Sequence, residues 1–155
     1  MNISGFIEES IVDGNHVRSV LFISGCKHCC KNCHNPETWD FNYGTPFTID
    51  EQFKIIQRIK ENPLVKGLTI SGGDPLYSYK DVIEFIKLFK KELPNHTIWV
   101  YTGFEYEEVL NSEMKEIFDY IDVLVDGRFI EEEHDRSLPF RGSRNQQIIY
   151  MNKCK

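Results

Sequence analysis

Residues 16–33 read HVRSVLFISGCKHCCKNC, an apolar strand pattern that runs directly into a cluster of cysteines. The near-continuous apolar run that ends at Ile23 is typical of a strand covered on both faces. Four of the five cysteines of the chain then fall within eight positions, at Cys26, Cys29, Cys30 and Cys33. The sequence therefore predicts a buried strand whose carboxyl end carries metal or redox chemistry.

Strand-like and helix-like patterns alternate through the rest of the chain. An Asp-Gly signal at residues 13–14 predicts an N-terminal hairpin. Further strands are predicted at residues 67–71, 97–101, 122–125 and 147–150, with helices that begin near Thr48 and Ser78 and a third over residues 110–121. This alternation implies a mainly parallel sheet with right-handed crossovers. Because so few strands cannot close an eight-stranded barrel, the predicted fold is α/β, with an open sheet or a partial (β/α) barrel.

The unusual motifs of the sequence all follow predicted strands. Gly25 and Cys26 follow the first strand, and residues 72–75 (GGDP) follow the second. Thr-Gly at residues 102–103 and Asp-Gly at residues 126–127 follow the next two. Ligands of such sheets bind beyond the carboxyl ends of the strands, so the motifs are expected to meet at one rim.

Composition and charge exclude several classes of protein. The length of 155 residues and the ordinary apolar and charged content predict a single globular domain over residues 1–155. A net charge of −6 argues against non-specific nucleic-acid binding. The longest apolar runs have four residues, whereas a membrane span needs about 18. Residues 1–6 do not read as a secretory signal, so we expect a cytoplasmic protein with neither nucleic-acid nor membrane partners.

Three of the clustered cysteines have the spacing C-x3-C-x2-C: Cys26, Cys30 and Cys33. Three thiolates so placed can ligate three irons of a [4Fe-4S] cluster and leave the remaining iron open to an outside chelator. Two alternatives stay open on the cysteines alone. Cys29 could complete a zinc site with the other three, or with His28 or His34. The pair Cys30 and Cys33 also forms a C-x-x-C, as in thiol redox proteins.

Motifs in three places give the chain a resemblance to a known superfamily. The C-x3-C-x2-C after the first strand of an α/β domain resembles the radical S-adenosylmethionine enzymes, and CHNPETWD at residues 33–40 resembles their glycyl-radical-enzyme activases. The turn SGGDPL at residues 71–76 is similar to the second signature of those activases. RGSRNQ at residues 141–146 is similar to the anaerobic ribonucleoside-triphosphate reductase activating proteins. The resemblance runs from about Gly14 to Ile149.

The resemblance implies a radical S-adenosylmethionine core in which Cys26, Cys30 and Cys33 hold a [4Fe-4S] cluster, with S-adenosylmethionine on the open iron. One-electron reduction, from a donor such as flavodoxin, would split the sulfonium and release a 5′-deoxyadenosyl radical. That radical would remove hydrogen from a backbone glycine of the partner, anaerobic ribonucleoside-triphosphate reductase. The residues that the resemblance implies for S-adenosylmethionine binding are Asn32, Cys33, His34, Gly72, Gly73 and Asp74.

The residue types of the second motif suit a cationic ligand. Gly72 and Gly73 have no side chain, so their backbone carbonyls can approach an amine closely. Asp74 is a carboxylate that can make a charge-assisted hydrogen bond to such a ligand. A plain Gly-Gly-Asp-Pro turn is the alternative when the motif is considered alone.

Two residues depart from the family pattern. Asn32 stands where relatives often carry an aromatic residue, so its side chain is not expected to stack on the adenine. Cys29 is an additional thiol which, like Cys154, is not required for the cluster. The histidines other than His34, and the acidic run at residues 131–133, are interpreted as solvated surface. The competing functions are another small radical S-adenosylmethionine enzyme, such as a 7-carboxy-7-deazaguanine synthase-like protein, and a non-catalytic zinc-binding module.

Overall fold

The computed structural model describes residues 1–152, which fold around one β-sheet. The strands are β1 (Asn2–Ser10), β2 (Arg18–Ile23), β3 (Thr45–Pro46), β4 (Gly67–Gly72), β5 (Thr97–Tyr101), β6 (Val123–Asp126) and β7 (Gln147–Tyr150). The α-helices are α1 (Ile49–Lys60), α2 (Tyr79–Glu92) and α3 (Tyr106–Leu110). The seven strands lie in the order β3-β1-β2-β4-β5-β6-β7.

The centre of the sheet is parallel, as the alternating pattern predicts. β4 pairs in parallel with both β2 and β5, and β5 pairs in parallel with β6. The N-terminal hairpin is confirmed because β1 pairs antiparallel with β2. The strand predicted at residues 147–150 is the antiparallel edge strand β7. The α/β fold with a mainly parallel central sheet is therefore confirmed, and the sheet is open, with β3 and β7 at its edges.

Local signals set the start of α1, and apolar stripes attach both long helices to the sheet. The hydroxyl of Thr48 accepts a hydrogen bond from the Glu51 N–H at 3.3 Å, which caps α1. The buried residues of α1 are Ile55, Ile56 and Ile59, and those of α2 are Val82, Ile83, Phe85, Ile86 and Phe89. No helix within residues 1–152 is both long and apolar enough to cross a bilayer.

The prediction of a single helix over residues 110–121 is wrong. The chain instead forms the short α3 and then a separate 3₁₀ segment, Glu113–Asp119. Ser112 lies between them, and its hydroxyl accepts a hydrogen bond from the Met114 N–H at 3.2 Å. A serine bonded to nearby backbone in this way competes with continuation of the helix. The apolar spacing therefore continues across two short elements.

Both faces of the central sheet carry buried apolar side chains. Successive side chains of a strand point to opposite faces, so Val100 and Leu124 pack with the helices whereas Trp99 and Val125 form a second cluster. Trp99 is 1% exposed and meets Phe140 edge to face, with the ring centroids 5.5 Å apart. The loop between β6 and β7 therefore covers part of the face opposite the helices.

A buried cation closes the amino ends of the parallel strands. The side chain of Arg18, the first residue of β2, is completely buried. Its guanidinium donates to the carbonyls of Leu68 and Thr97 at 3.0 and 2.8 Å. It also donates to the hydroxyls of Thr69 and Thr97 at 2.9 and 2.8 Å. These bonds join the amino-terminal parts of β2, β4 and β5.

The space around the guanidinium of Arg18 is bounded by a glycine and an aromatic ring. A Cβ on Gly67 would lie 2.5 Å from Nη2 of Arg18, so only glycine leaves room for the guanidinium. The Cζ of Arg18 lies 5.5 Å from the ring centroid of Trp99, within the range of a cation–π contact. Burial lowers the pKa of Arg18 to about 10, and the negative charge of Asp122 opposes this shift.

Candidate functional site

A cavity opens at the carboxyl ends of the parallel strands, the rim at which the sequence predicts ligand binding. It has two adjoining lobes of about 210 and 520 Å³. Residues of the predicted motifs that line the first lobe are Cys26, Cys30, Cys33, His34, Gly72 and Gly73. Residues that line both lobes are His28, Cys30, Gly103, Arg128 and Phe129. The motifs that follow different strands thus meet in one cavity.

Backbone hydrogen bonds hold the cysteine loop (residues 24–33) against the chain that follows it. The Gly25 N–H donates to the Thr38 carbonyl at 2.7 Å, and the Cys26 N–H donates to the Trp39 carbonyl at 3.2 Å. Within the loop, the Cys33 N–H donates to the carbonyl three residues earlier at 3.2 Å. The loop therefore turns tightly and keeps its three lining cysteines on one wall.

Burial and backbone donors act in opposite directions on the lining thiols. Burial raises the pKa of Cys26 to about 11, and the backbone N–H of His28, bonded to the sulfur, opposes that rise. Burial also raises the pKa of Cys30, and the backbone N–H of Phe129 opposes that rise. N–H groups directed at sulfur favour the thiolate, which is the form that ligates iron. The donor set and its hydrogen bonds therefore fit a thiolate-bound cluster.

The fourth cysteine of the loop stands apart from this wall. Cys29 is exposed, has a left-handed backbone with φ of 52°, and is not a lining residue of either lobe. The cysteines of the loop are all free thiols. Within residues 1–152, no three His, Cys, Asp or Glu side chains are arranged around a single metal ion. Cys154 lies outside the described residues.

The Gly-Gly turn after β4 lies against the start of the cysteine loop. Gly72 has a φ of +110°, and a Cβ there would lie 2.4 Å from backbone atoms of Ile23. A Cβ on Gly73 would lie 2.7 Å from the carbonyl oxygens of Gly25 and Thr38. Because only glycine fits at either position, the turn forms a cradle of backbone atoms beside the cysteines.

Asp74 lies behind the lining of the cavity and is 1% exposed. Its Oδ2 lies 2.6 Å from Nε2 of His28 and accepts a hydrogen bond from the Gly103 N–H at 2.8 Å. The Thr102 hydroxyl is 2.9 Å from both carboxylate oxygens, and the Leu76 N–H donates to Oδ1 at 2.9 Å. Both oxygens therefore already have protein donors, and a direct contact between Asp74 and S-adenosylmethionine stays a prediction.

Comparison with known proteins agrees with this geometry. Residues 12–149 match the model of the 4Fe-4S single cluster domain. The chain is 40% identical over 151 residues, 96% of its length, to the anaerobic ribonucleoside-triphosphate reductase-activating protein of Haemophilus influenzae, of which 97% is covered. It is 38% identical over 154 residues to the Escherichia coli K12 protein of that name, with 97% of this chain and 99% of that protein covered. The chain belongs to the family of reductase-activating proteins.

A phage protein extends the same family. The anaerobic ribonucleoside-triphosphate reductase-activating protein of Enterobacteria phage T4 is 32% identical over 150 residues, covering 96% of this chain and 93% of that protein. The predicted membership of this family is thereby confirmed. A zinc-binding module and a 7-carboxy-7-deazaguanine synthase-like enzyme, the two alternatives, are not supported by these relatives.

The two residues that flank Cys33 differ in their position relative to the cavity. Asn32 has a left-handed backbone with φ of 56°, a conformation that asparagine tolerates better than an aromatic residue. Its amide donates to the carboxylate of Glu131, and it is not a lining residue of either lobe. His34 lines the first lobe beside Phe129, with the ring centroids 5.3 Å apart. Contacts of Asn32 and His34 with a ligand stay predictions.

The third family motif folds onto the same cavity. Oε1 of Gln146 accepts hydrogen bonds from the N–H groups of Gly142 and Ser143 at 2.9 and 3.1 Å. Its Nε2 donates to the Gly127 carbonyl at 2.9 Å. Gln146 and Gly142 both line the first lobe. The glutamine thus clips the end of the loop between β6 and β7 to its beginning, beside the cysteines.

Sequence reasoning missed two contributions to the cavity. The interpretation of His28 as solvated surface is wrong, because its side chain is 2% exposed and lines both lobes. Arg128 and Phe129 also line both lobes and were not singled out. Their position, immediately after the Asp-Gly that ends a strand, was the signal that could have found them.

Proposed function

We propose that this protein uses a [4Fe-4S] cluster and S-adenosylmethionine to generate a glycyl radical on anaerobic ribonucleoside-triphosphate reductase. The observation that carries the proposal is the meeting of three thiols, those of Cys26, Cys30 and Cys33, with the Gly72–Gly73 cradle in one cavity. Relatives of matching length are named as activating proteins of that reductase, which supports a protein substrate.

In this proposal the three lining thiolates hold the cluster. The chemistry that a bound cluster would supply there is one-electron reduction of S-adenosylmethionine. The backbone N–H groups of His28 and Phe129 stabilise the thiolates of Cys26 and Cys30. Because burial raises the pKa of both thiols, assembly of the cluster has to displace protons from them and is favoured by rising pH.

The cradle beside the cysteines is the proposed contact for S-adenosylmethionine, together with Cys33 and His34. Backbone atoms of Gly72 and Gly73 suit the amine of the ligand, since no side chain keeps it away. Asn32 and Asp74 do not line the cavity. We propose that they act on this ligand indirectly, by positioning the residues next to them that do line it. The carboxylate of Asp74 also brings negative charge behind the cradle, which favours a cationic ligand.

The open side of the cavity is the proposed entry for the glycine-bearing loop of the reductase. A carbon radical must be kept from solvent, and a partner loop that enters the open lobes would do so while it delivers the target hydrogen. We further propose that the open sheet is a partial barrel of radical S-adenosylmethionine type, that residues 1–155 act as one unit, and that the electron comes from a donor such as flavodoxin.

The test is anaerobic incubation of the reconstituted protein with the reductase, S-adenosylmethionine and a reductant, followed by electron paramagnetic resonance. We expect a doublet from a glycine-centred radical on the reductase. The doublet should be absent when the target glycine of the reductase is replaced by alanine. Rapid turnover of a small molecule with no partner protein present would contradict the proposal.

A further inference from the structure

The wall shared by the two lobes contains a buried nitrogen that lacks a partner. The side chain of His28 is 2% exposed, and its Nδ1 has no hydrogen-bond partner among the described residues. Native proteins rarely leave a buried polar atom unpaired, because the loss of hydration is then not compensated. Since His28 lines both lobes, a polar group of a ligand in the cavity is within reach as a partner for Nδ1.

The opposite nitrogen of the same ring ties the cysteine loop to the sheet. Nε2 of His28 lies 2.6 Å from Oδ2 of Asp74, and both side chains are almost fully buried. The same carboxylate binds the hydroxyl of Thr102 and the N–H of Gly103, which follow β5. One carboxylate therefore links the cysteine loop, the end of β4 and the end of β5.

The orientation of the imidazole is set by what surrounds it. The ring of Phe104 meets it edge to face, with centroids 4.7 Å apart, and the ring of Tyr77 lies at 5.2 Å. A Cβ on Gly103 would lie 2.5 Å from Cδ2 of His28, so the position next to the ring has room only for glycine. With Nε2 bonded to Asp74 and the ring held on its other sides, Nδ1 cannot turn away to find another partner.

We propose that His28 is a positioning residue for the group bound in this cavity, an inference that rests on the proposed function. Through Asp74, its Nε2 fixes the cysteine loop to the ends of β4 and β5. Its Nδ1 hydrogen-bonds to a polar atom of the bound group, which is either the iron–sulfur cluster or S-adenosylmethionine.

Two substitutions separate the two nitrogens. In His28→Gln the longer amide takes the place of Nε2 beside Asp74, but nothing replaces Nδ1. In His28→Asn the shorter amide takes the place of Nδ1 but leaves Asp74 without its partner. His16→Asn is the matched control, because His16 is exposed and has a φ of 59°, a conformation that asparagine accepts.

Each variant is reconstituted anaerobically and compared with the wild type in four measurements: iron and sulfide content, the rate of cluster loss to a chelator, the midpoint potential, and the Kd for S-adenosylmethionine. We expect His28→Asn to lose its cluster about tenfold faster, because the loop is no longer tied down. We expect His28→Gln to load fully. A shifted potential without S-adenosylmethionine would then identify the cluster as the partner of Nδ1, whereas an unchanged potential with about tenfold weaker binding would identify S-adenosylmethionine.

Asp74→Asn gives an independent measure of the tie, since it keeps the shape of the side chain and removes its charge. We expect faster cluster loss in this variant, as in His28→Asn, with an unchanged far-ultraviolet circular dichroism spectrum. Wild-type behaviour of His28→Asn and Asp74→Asn toward the chelator would overturn the tie. Wild-type potential and affinity in His28→Gln would overturn the function of Nδ1. Failure of the proposed function would differ, because the wild type and His16→Asn would then hold no cluster or bind no S-adenosylmethionine.

Discussion

The two ends of the parallel strands carry buried charges of opposite sign, and only one of these ends opens onto the cavity. At the amino ends, the guanidinium of Arg18 donates to carbonyl and hydroxyl oxygens of β4 and β5. At the carboxyl ends, the carboxylate of Asp74 accepts from backbone and side-chain groups and contacts His28. Both charges are compensated mainly by dipoles, and both join neighbouring strands.

The two networks differ in whether every buried polar group has a hydrogen-bond partner. The donors of Arg18 are supplied with acceptors by β4, β5 and Asn15, and its network joins the strands at that end of the sheet. The network of Asp74 ends at a histidine whose second nitrogen is buried and, within residues 1–152, unpartnered. The complete network of Arg18 therefore indicates a structural function, whereas the network that stops at His28 supports the ligand contact proposed for that residue.

The largest effect is expected at the open end, from serine substitutions in the cysteine loop. Cys26→Ser, Cys30→Ser and Cys33→Ser should each lose the cluster, because each removes one of the three lining thiols. Cys29→Ser and Cys154→Ser should retain it, since Cys29 is exposed and neither belongs to the C-x3-C-x2-C spacing. Iron and sulfide content after anaerobic reconstitution decides this.

The five variants control one another. Full loading of Cys30→Ser would show that the thiol of Cys30 is not a ligand. Full loss in Cys29→Ser would show that the exposed thiol is one of them. Either result would change the set of ligands that the C-x3-C-x2-C spacing predicts.

The next largest effect is expected at the amino ends of the parallel strands, where Arg18 is buried. Arg18→Met should reduce the free energy of unfolding by roughly 3–5 kcal/mol, because several buried acceptors lose their donor at about 1–3 kcal/mol each. Arg58→Met is the control, since Arg58 is 52% exposed and pairs with Glu8 on the surface at 3.0 Å. That change should cost less than about 1 kcal/mol. Urea unfolding of the two variants measures the difference. Equal losses of unfolding free energy would contradict a structural function for the buried guanidinium of Arg18.

A matched pair of glycines tests both ends with the same added methyl group. A Cβ at Gly67 would lie 2.5 Å from Nη2 of Arg18, and one at Gly103 would lie 2.5 Å from Cδ2 of His28. Gly67→Ala should lower the free energy of unfolding by about 1–3 kcal/mol through overpacking and leave the rate of cluster loss unchanged. Gly103→Ala should raise the rate of cluster loss, because it displaces the ring that holds the cysteine loop. Equal rates of cluster loss to a chelator in the two variants would show that crowding at the carboxyl ends of the strands affects the cluster no more than crowding at the amino ends.

The smallest effect is a pH dependence at the closed end. Burial lowers the pKa of His96 below its ordinary value of 6.5, and a backbone hydrogen bond to Val65 opposes that shift. The positive charges of Lys66, Lys90 and Arg18 lower the pKa further. The unfolded chain therefore binds this proton more tightly than the native protein does. The free energy of unfolding should fall as pH falls from 6.5 through the lowered native pKa. Above that range His96 should add no pH dependence to the free energy of unfolding.

His96→Gln tests this contribution because glutamine does not titrate. Urea midpoints of the wild type and the variant, compared at about pH 7.5 and about pH 5.5, should show a shallower decrease in the variant. The same decrease in both proteins would show that the native and unfolded states bind the proton of His96 equally. His16→Gln, at an exposed position, is the control for loss of a histidine as such.

Most of the fold could be predicted because it depends on residues that are near one another in the chain. The parallel strands, the hairpin and α1 each follow from apolar spacing, a turn signal or a cap within about ten residues. The prediction of a third helix was wrong because apolar spacing does not show where one element ends and the next begins. Its apolar spacing is helical, but the hydroxyl of Ser112 accepts a hydrogen bond from the Met114 N–H and caps a separate 3₁₀ segment.

The candidate site divides along the same line. The spacing of Cys26, Cys30 and Cys33 and the Gly-Gly turn after a strand are local features, and they were sufficient to indicate a thiolate-bound cluster and the rim where it lies. The partners of the charged residues were not accessible in this way. His28 reaches Asp74 across 46 positions of the chain, and Thr102 reaches it across 28.

The burial of Arg18 and the inward turn of His28 likewise required the folded chain. Each side chain lies in a segment whose local pattern says nothing of where a guanidinium or an imidazole points. Their positions depend on the space left by Gly67 and Gly103, which lie on other strands or beyond them. Periodicity records which face of an element is apolar, but a buried polar network is completed by groups that only the packing of distant strands brings within hydrogen-bonding distance.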